Sequence, residues 1–257
     1  WSLLWTVSVL ADETKPLTSK ITPDSAKSKD FFTLIVLPDT QGYADTRHRE
    51  TQKHWPEIGD QRACFYGQTE WIKKNHRARN IVMVTHVGDI TQTEHDDEWK
   101  IADAAFKTIE PHVPYVLCSG NHDMGYSLQL RKTCQSRVSQ FSRYFPPSRF
   151  TENSLYDAHF ALDKQGHFRE AGKMENYYLS FQAGGMDFMV ITLEFKPRDE
   201  AIAWANQVAE KHPNHRIVLV THGYLTKKGQ LSGSDGYPIK GNSGQAIWEK
   251  FVSRHSN

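Results

Sequence analysis

Four short polar motifs, each placed directly after an apolar run, carry residue types that bind metal ions and transfer protons. The most informative is Gly120-Asn121-His122-Asp123, which follows the apolar run 113–117. Gly120 permits a tight turn, and Asn121 offers an amide oxygen as a metal ligand. His122 is a candidate proton donor, and Asp123 is a candidate partner that orients its imidazole. Alone, this motif is a weak signal, because polar turns after strands are common.

The other three motifs also place possible metal ligands at the ends of predicted strands. They are Asp39 with Gln41 after residues 31–37, Asp89 after 81–87, and His222 after 216–221. Because ligands gather at the carboxyl ends of strands in open α/β sheets, we expect the four motifs to form one site. Carboxylates, amides and imidazoles suit divalent ions such as Mn, Fe, Zn or Mg. A carboxylate between two such ions holds them about 3.5–4 Å apart.

Each of these residues also has a purely structural interpretation. Asp39 before a turn would serve as a helix cap, and His222 as a hydrogen-bonded core histidine. The occurrence of four motifs in order after four strands favours metal ligation for both. By contrast, His86 lies inside a strand pattern and is interpreted as structural. Residues 95–98 are expected to form a solvated, acidic helix start.

Apolar periodicity predicts the remaining elements. A hairpin is predicted over 177–182 and 187–193. Helices are predicted over 67–79, 199–211 and 243–254, the last with Ser243 as its cap. A further helix is predicted to start at the acidic residues 94–98 and to stop at Pro111. Residues 124–176 show weak periodicity. They are predicted to form an excursion of loops and short elements that shapes the substrate site.

The first thirty residues are predicted to lie outside the domain. Residues 1–11 are uncharged, apolar and too short to span a bilayer, and Val9 and Ala11 fit a small-residue cleavage pattern. We interpret 1–11 as the remnant of a signal peptide, 12–30 as a polar lead-in, and 31–257 as the domain. An N-terminal strand is the alternative for 1–11. The first interpretation predicts a secreted or periplasmic protein without a membrane span.

Composition and motif searches exclude several functional classes. The 257 residues, 38% of them hydrophobic, suit one large α/β domain or two small ones. The 31 basic and 30 acidic residues are mixed along the chain and give a net charge of +1, so no nucleic-acid signature is present. The sequence contains no serine-hydrolase elbow, Walker A motif or H-E-x-x-H motif.

The three cysteines and the many aromatic residues each leave two interpretations open. The lack of a C-x-x-C motif argues against a thiolate zinc site. The sequence allows one disulfide in an oxidising compartment, with Cys64–Cys134 the favoured pair, although the sequence does not determine the pairing. Cys118 is expected to be a buried thiol. Seven Trp and ten Tyr residues indicate core packing rather than a sugar-binding surface.

Taken together, the four motifs resemble those of the calcineurin-like metallophosphoesterases. That family's pattern is D-x-H, G-D, G-N-H-[DE], a later H and a terminal G-H-x-H, each after a strand, and the resemblance covers about residues 31 to 257. It implies a four-layer α/β/β/α sandwich of two mixed sheets flanked by helices. It also implies hydrolysis of phosphoric esters, monoesters or diesters, at a dinuclear centre of two divalent ions. By this likeness Asp89 bridges both ions, Asp39 and Gln41 hold the first, Asn121 and His222 hold the second, and His122, oriented by Asp123, protonates the leaving group.

Two departures from the family pattern affect the predicted metal sites. Gln41 replaces the family's His, and its neutral amide oxygen is a weak ligand, so the first ion is expected to bind less tightly. The run Pro38-Asp39-Thr40-Gln41 resembles a secreted bacterial branch in which this Gln is usual. No G-H-x-H follows His222. We therefore expect the domain to be incomplete at its C-terminal end and this chain to bind metal weakly.

The principal functional alternative is a secreted, non-catalytic module that keeps the same fold and binds glycans or other ligands through its aromatic residues. A structural domain of a larger protein is a third possibility. A bound metal and chelator-sensitive hydrolysis would separate the enzyme from both. Nucleotides, phospholipids, phosphoproteins and simple mono- and diesters all remain open as substrates.

Overall fold

The computed structural model describes residues 5–10, 31–46, 60–156 and 167–256, with only the backbone described for 5–10. The strands are β1 (Trp5–Leu10), β2 (Phe31–Leu37), β3 (Ile81–His86), β4 (Tyr115–Leu117), β5 (Tyr177–Ala183), β6 (Met186–Leu193) and β7 (Arg216–Thr221). The α-helices are α1 (Gln41–Ala44), α2 (Arg62–Asn75), α3 (Asp96–Ile109), α4 (Phe141–Tyr144), α5 (Ser148–Thr151), α6 (Asp199–Lys211) and α7 (Gly244–Lys250). None of the helices in these ranges is long and apolar enough to cross a membrane.

The strands form two mixed sheets. The first has the order β1-β2-β3-β4, in which β1 is antiparallel to β2 and the other pairs are parallel. The second has the order β5-β6-β7, with an antiparallel hairpin followed by a parallel pair. Each parallel pair needs a crossover, and helices supply it. As a result, β2, β3 and β4 all end at the same edge of their sheet.

Alternation along β6 shows how the layers pack. Phe188 and Val190 belong to the core that lies between the sheets and under α2 and α3, whereas Met189 and Ile191 pack against α6 and α7. Phe188 meets Phe32 of β2 edge-on, with ring centroids 5.3 Å apart. Each face of the second sheet therefore buries an apolar layer. The structure is the expected α/β/β/α sandwich of two mixed sheets flanked by helices.

Two tyrosine hydroxyls cover the outer edge of β4. Tyr156 Oη accepts from the backbone N–H of Tyr115 and donates to its carbonyl, at 2.8 and 3.1 Å. Tyr177 Oη makes the same pair of hydrogen bonds to Leu117, also at 2.8 and 3.1 Å. Because buried backbone groups must be paired, these hydroxyls replace a neighbouring strand. They hold the strand that leads to Gly120.

The sequence placed several element boundaries incorrectly. Helix α2 begins at Arg62 and ends at Asn75, instead of covering 67–79. At its start, the Arg62 N–H donates to the Asp60 carboxylate at 2.9 Å. Strand β4 begins at Tyr115, and α7 ends at Lys250 rather than 254. The predicted Ser243 cap is confirmed, because its side chain accepts from the Ala246 N–H. The excursion over 124–176 contains only short helical elements in its described part.

Three further expectations differ from the structure. The Cys64–Cys134 disulfide is wrong: all three cysteines are free, with Cys64 exposed and Cys134 buried. Glu98 is buried and not solvated. Its carboxylate accepts hydrogen bonds from the N–H groups of Thr93 and His95. Residues 5–10 form β1 against β2, which was the alternative for that segment. The signal-peptide interpretation stays a prediction, and the lead-in 12–30 lies outside the described residues.

Candidate metal centre

The four motifs meet where loops from both sheets converge. Asp39, Asp89 and Asn121 follow β2, β3 and β4 of the first sheet, whereas His222 follows β7 of the second. The site is therefore built between two sheets, not in the crevice of a single open sheet. The Thr40 N–H donates to the Asp89 carbonyl at 3.0 Å and joins two of the loops.

Glycines allow these loops to approach each other closely. A Cβ on Gly120 would overlap the Oδ1 and backbone nitrogen of Asp89. A Cβ on Gly88 would lie 2.9 Å from both the Gly120 nitrogen and the Cβ of His222, and Gly88 also has a φ of +95°. Only glycine fits such contacts. Asp89 itself adopts a left-handed φ of 52°, which turns its carboxylate into the space between the loops.

The His222 side chain directs its Nε2 atom toward Asn121 and Asp89. Its Nδ1 donates to the Val87 carbonyl at 2.9 Å, so the neutral ring has its lone pair on Nε2. That atom lies 3.0 Å from Asn121 Oδ1 and 3.4 Å from Asp89 Oδ2. Metal–ligand bonds of about 2.1 Å at ordinary angles place neighbouring ligand atoms about 3.0–3.4 Å apart. With the imidazole fixed by a backbone carbonyl, Nε2 lies at such a distance from each of the two oxygen atoms.

Asp39 and Gln41 follow β2, and Gln41 is the first residue of α1. Gln41 Oε1 is buried and has no hydrogen-bond partner among the described residues. An unpaired buried acceptor costs about 1–3 kcal/mol, which a cation would offset. The Asp39 carboxylate is 49% exposed, with Oδ1 3.8 Å from His222 Nδ1. The pKa of Asp39 is nevertheless raised, chiefly because the surrounding protein removes part of the water around the carboxylate. The charge of Asp89 adds to this shift, and His222 opposes it.

Both predicted ligand sets include an amide oxygen. In the described part of the chain, no three His, Cys, Asp or Glu side chains cluster closely enough to hold a metal ion on their own. The amide oxygens of Asn121 and Gln41 are the further ligand atoms that the sequence predicts. Sites rich in oxygen ligands favour hard or borderline divalent ions, which agrees with the ions expected from the sequence.

The imidazole of His122 is oriented by a backbone carbonyl. His122 Nδ1 donates to the Gln92 carbonyl at 2.8 Å, and the His122 backbone N–H donates to Asp89 Oδ1 at 2.9 Å. Nε2 is therefore the ring nitrogen left to face a substrate. The role of Gln92 has no signal in the sequence, because a backbone acceptor can belong to any residue type.

Asp123 has a different role from the one predicted. Its carboxylate accepts from the N–H groups of Gly120, Ile90 and Thr91 and from the Thr91 hydroxyl, at 2.8–3.0 Å. The prediction that it orients His122 was therefore wrong. Burial, together with the charge of Asp89, raises its pKa to about 6 in spite of these hydrogen bonds. Asp123 joins the loop after β3 to the loop after β4.

His86, at the end of β3, connects two of the loops that form the site. It is fully buried; its Nδ1 accepts from the Gly88 N–H at 3.2 Å, and its Nε2 donates to Thr40 Oγ1 at 3.0 Å. The Thr40 hydroxyl in turn donates to the Ile90 carbonyl at 3.2 Å. Burial, aided by the nearby His222, lowers the pKa of His86 to about 3. The structural interpretation of His86 is confirmed.

Comparison with known proteins identifies the family. The model of the calcineurin-like phosphoesterase family matches residues 32–247. A relative, the uncharacterized protein YvnB of Bacillus subtilis (strain 168), is 31% identical over 232 residues, which are 90% of this chain and 15% of YvnB. Among solved structures, purple acid phosphatase PPD1 from yellow lupin (Lupinus luteus) seeds aligns with a TM-score of 0.41 and 14% identity, over 87% of this chain and 39% of that one. Because the family model covers most of its length, this chain belongs to the calcineurin-like phosphoesterase family.

Proposed function

We propose that this chain hydrolyses phosphate esters with the help of two divalent metal ions. The observation that carries the proposal is the convergence of Asp89 Oδ2, Asn121 Oδ1 and His222 Nε2 at the spacing of one coordination shell. These three residues would hold one ion. Asp39, Gln41 and the bridging Asp89 would hold the other, with Mn, Fe, Zn or Mg as candidates. When bound, such ions polarise phosphoryl oxygens and acidify a water molecule.

The protein's own contribution to bond cleavage is assigned to His122. Its Nδ1 is occupied by the Gln92 carbonyl, so a protonated ring presents Nε2–H to the leaving oxygen. Transfer of that proton gives a neutral alcohol as the leaving group and returns the imidazole to its neutral form. The hydrogen bond from the His122 backbone N–H to Asp89 Oδ1 fixes the position of His122 relative to the carboxylate that would bridge the two ions.

The non-catalytic glycan-binding alternative finds less support. Such a module needs aromatic faces open to solvent. In the described part of the chain, Trp248 is the single aromatic side chain that is exposed. The largest fully buried side chains are themselves mostly aromatic, led by Trp99, Tyr115 and Tyr156. The aromatic residues are used for the core.

Chelation and metal restoration test the proposed activity. Hydrolysis of p-nitrophenyl phosphate and of bis(p-nitrophenyl) phosphate should fall to background in a chelator and return with Mn²⁺. Asp89→Asn should lower turnover at least about 100-fold, since it removes the bridging charge. Asp187→Asn is the matched control, because Asp187 lies at the start of β6 and contacts Gln182. Chelator-insensitive hydrolysis, or equal rates for the two variants, would contradict the proposal.

A location outside the cytoplasm is a separate part of the proposal and rests on the apolar segment 1–11 alone. Mass spectrometry of the protein recovered from the native host would test it. An N-terminus at or near Asp12 in an extracellular or periplasmic fraction is expected. A cytoplasmic protein that retains residues 1–11 would contradict this part and leave the chemistry untouched.

A further inference from the structure

Two segments that leave the candidate metal centre carry most of the exposed apolar side chains. Segment 124–140 starts directly after Asp123, and segment 223–243 starts directly after His222. Among the described residues, four of the five exposed large apolar side chains lie on these segments: Leu128 (74% exposed), Leu130 (56%), Val138 (75%) and Leu225 (54%). Scattered surface leucines are ordinary, but their concentration beside one site is not.

The bases of the two segments are packed together, and their leucines lie on short loops. Backbone bridges between Ser127 and Lys132 and between Leu225 and Leu231 close these loops. Arg137 of the first segment donates to the carbonyl of Lys240 in the second and to that of Lys196, at 2.8 Å for Lys196. A small core shared by both segments contains Met124, Cys134, Phe195 and Ile239. The two segments therefore form one supported surface.

This surface is also strongly positive. The two segments contain six Lys or Arg residues and one Asp, in a chain whose net charge is +1. The Asp, Asp235, is paired with Lys196. Five basic side chains are exposed and form no ion pair within the described residues: Arg131, Lys132, Lys227, Lys228 and Lys240. Many basic residues elsewhere are paired with acids, among them Arg62, Lys73, Lys107, Arg143, Arg149, Arg198 and Lys250.

We propose that segments 124–140 and 223–243 dock on the surface of an anionic phospholipid membrane. Unpaired Lys and Arg side chains are attracted to anionic headgroups, and exposed leucines insert into the boundary between headgroups and acyl chains. A hydrophilic polyanion, such as an acidic polysaccharide or a polypeptide of acidic residues, would match the charge but would leave the leucines in water. Since both segments start beside candidate ligands, docking turns the metal centre toward the lipid. The binding itself requires no metal ion and does not depend on the proposed hydrolysis.

Vesicle co-sedimentation tests this docking. The wild-type chain should bind vesicles of phosphatidylcholine with about 30% phosphatidylserine, and bind pure phosphatidylcholine far more weakly, with binding reduced by salt. Leu128→Ser with Leu130→Ser, and separately Lys227→Gln with Lys228→Gln, should each lower the partition coefficient about tenfold or more. The matched control is Lys74→Gln with Lys100→Gln, which removes the same charge from the exposed faces of α2 and α3. Circular dichroism of each variant checks folding.

Three results would overturn the proposal. The first is a wild-type chain that does not sediment with anionic vesicles at low salt. The second is equal loss of binding in the Lys74/Lys100 control, which would make the effect one of overall charge. The third is a chain that binds heparin or an acidic polypeptide, or that self-associates in sedimentation velocity, but does not bind vesicles. Such a result would assign the surface to a different partner.

Discussion

At the scale of single residues, one ring nitrogen of His122 is hydrogen-bonded to the Gln92 carbonyl. The other has no hydrogen-bond partner among the described residues. We expect His122→Ala to lower turnover about 10²–10⁴-fold for esters with poor, alkyl leaving groups. The loss should be smaller for a p-nitrophenyl ester, because that leaving group needs little protonation. Steady-state rates on both substrates, with metal content measured in parallel, check this. An equal loss on both substrates together with lost metal would make His122 a ligand instead.

Gly120 tests the close approach of two loops. Gly120→Ala should lower the free energy of unfolding by about 1–3 kcal/mol, because its Cβ would overlap backbone and carboxylate atoms of Asp89. Gly67 is the control: it lies in α2, and a Cβ added there would have nothing within 4 Å, so Gly67→Ala should stabilise by up to about 1 kcal/mol. Urea unfolding of both variants measures the difference. The two substitutions should change the free energy of unfolding in opposite directions. A Gly120→Ala variant as stable as the wild type would show that the two loops are farther apart than described.

Residue types in this chain were predictable from sequence, but their hydrogen-bond partners were not. Asp39, Asp89, Asn121 and His222 were identified because each polar residue follows a strand pattern. The role of Asp123 was wrong, since a tight turn directs its carboxylate to the backbone of Ile90 and Thr91. A side chain's neighbour in sequence is not necessarily its partner in space.

At the scale of elements, the chain of hydrogen bonds through His86 connects β3 to the loop after β2. Burial and the nearby His222 lower the pKa of His86 to about 3, whereas histidine in an unfolded chain titrates near about 6.5. Between these values the unfolded state binds a proton that the folded state does not. His86 should therefore cost about 2–3 kcal/mol of stability as the pH falls from 7 to 4.5.

The control for this pH dependence is His86→Gln, which cannot take up that proton. Urea unfolding at both pH values should show a larger loss for the wild type than for the variant, even though the variant starts from a lower stability at pH 7. The same loss in both proteins would mean that His86 is protonated in the folded state, or that its environment is wetter than the structure describes.

Element boundaries were predictable where periodicity was strong. Helix α6 and strand β7 lie where the pattern placed them, and the hairpin of β5 and β6 differs by one residue at each turn-side end. The start of α2 was missed because it depends on Asp60 rather than on an apolar repeat. The cover of β4 by two tyrosine hydroxyls has no sequence signal at all.

At the scale of the whole molecule, the assignment of strands to two sheets came from the family resemblance. Local pattern does not specify which strands pair, because the same apolar run fits either sheet. This is why the sequence alone suggested a single open sheet edge, while His222 in fact approaches from the second sheet. Loop convergence between sheets is a tertiary property.

The state of the cysteines is a second property of the whole molecule. With Cys64 exposed and Cys118 and Cys134 buried, a thiol reagent should modify one cysteine quickly in the folded protein and three after denaturation without reductant. Cys64→Ser should remove the fast reaction and leave two thiols in the denatured protein. Fewer than three reactive thiols in the denatured wild type would indicate a disulfide and would contradict the free cysteines of the structure.

Metal titration most directly tests the central claim that loops from both sheets build one ion site. Mn²⁺ added to the chelator-stripped chain in a calorimeter should bind first at Asp89, Asn121 and His222, and more weakly at Asp39 and Gln41, since Gln41 is a weak ligand. His222→Ala should weaken the first event at least about tenfold, while Gln41→Leu should affect the second event alone. Asp187→Asn should leave both unchanged. A wild-type chain that binds no Mn²⁺, or binding unaffected by His222→Ala, would contradict the account.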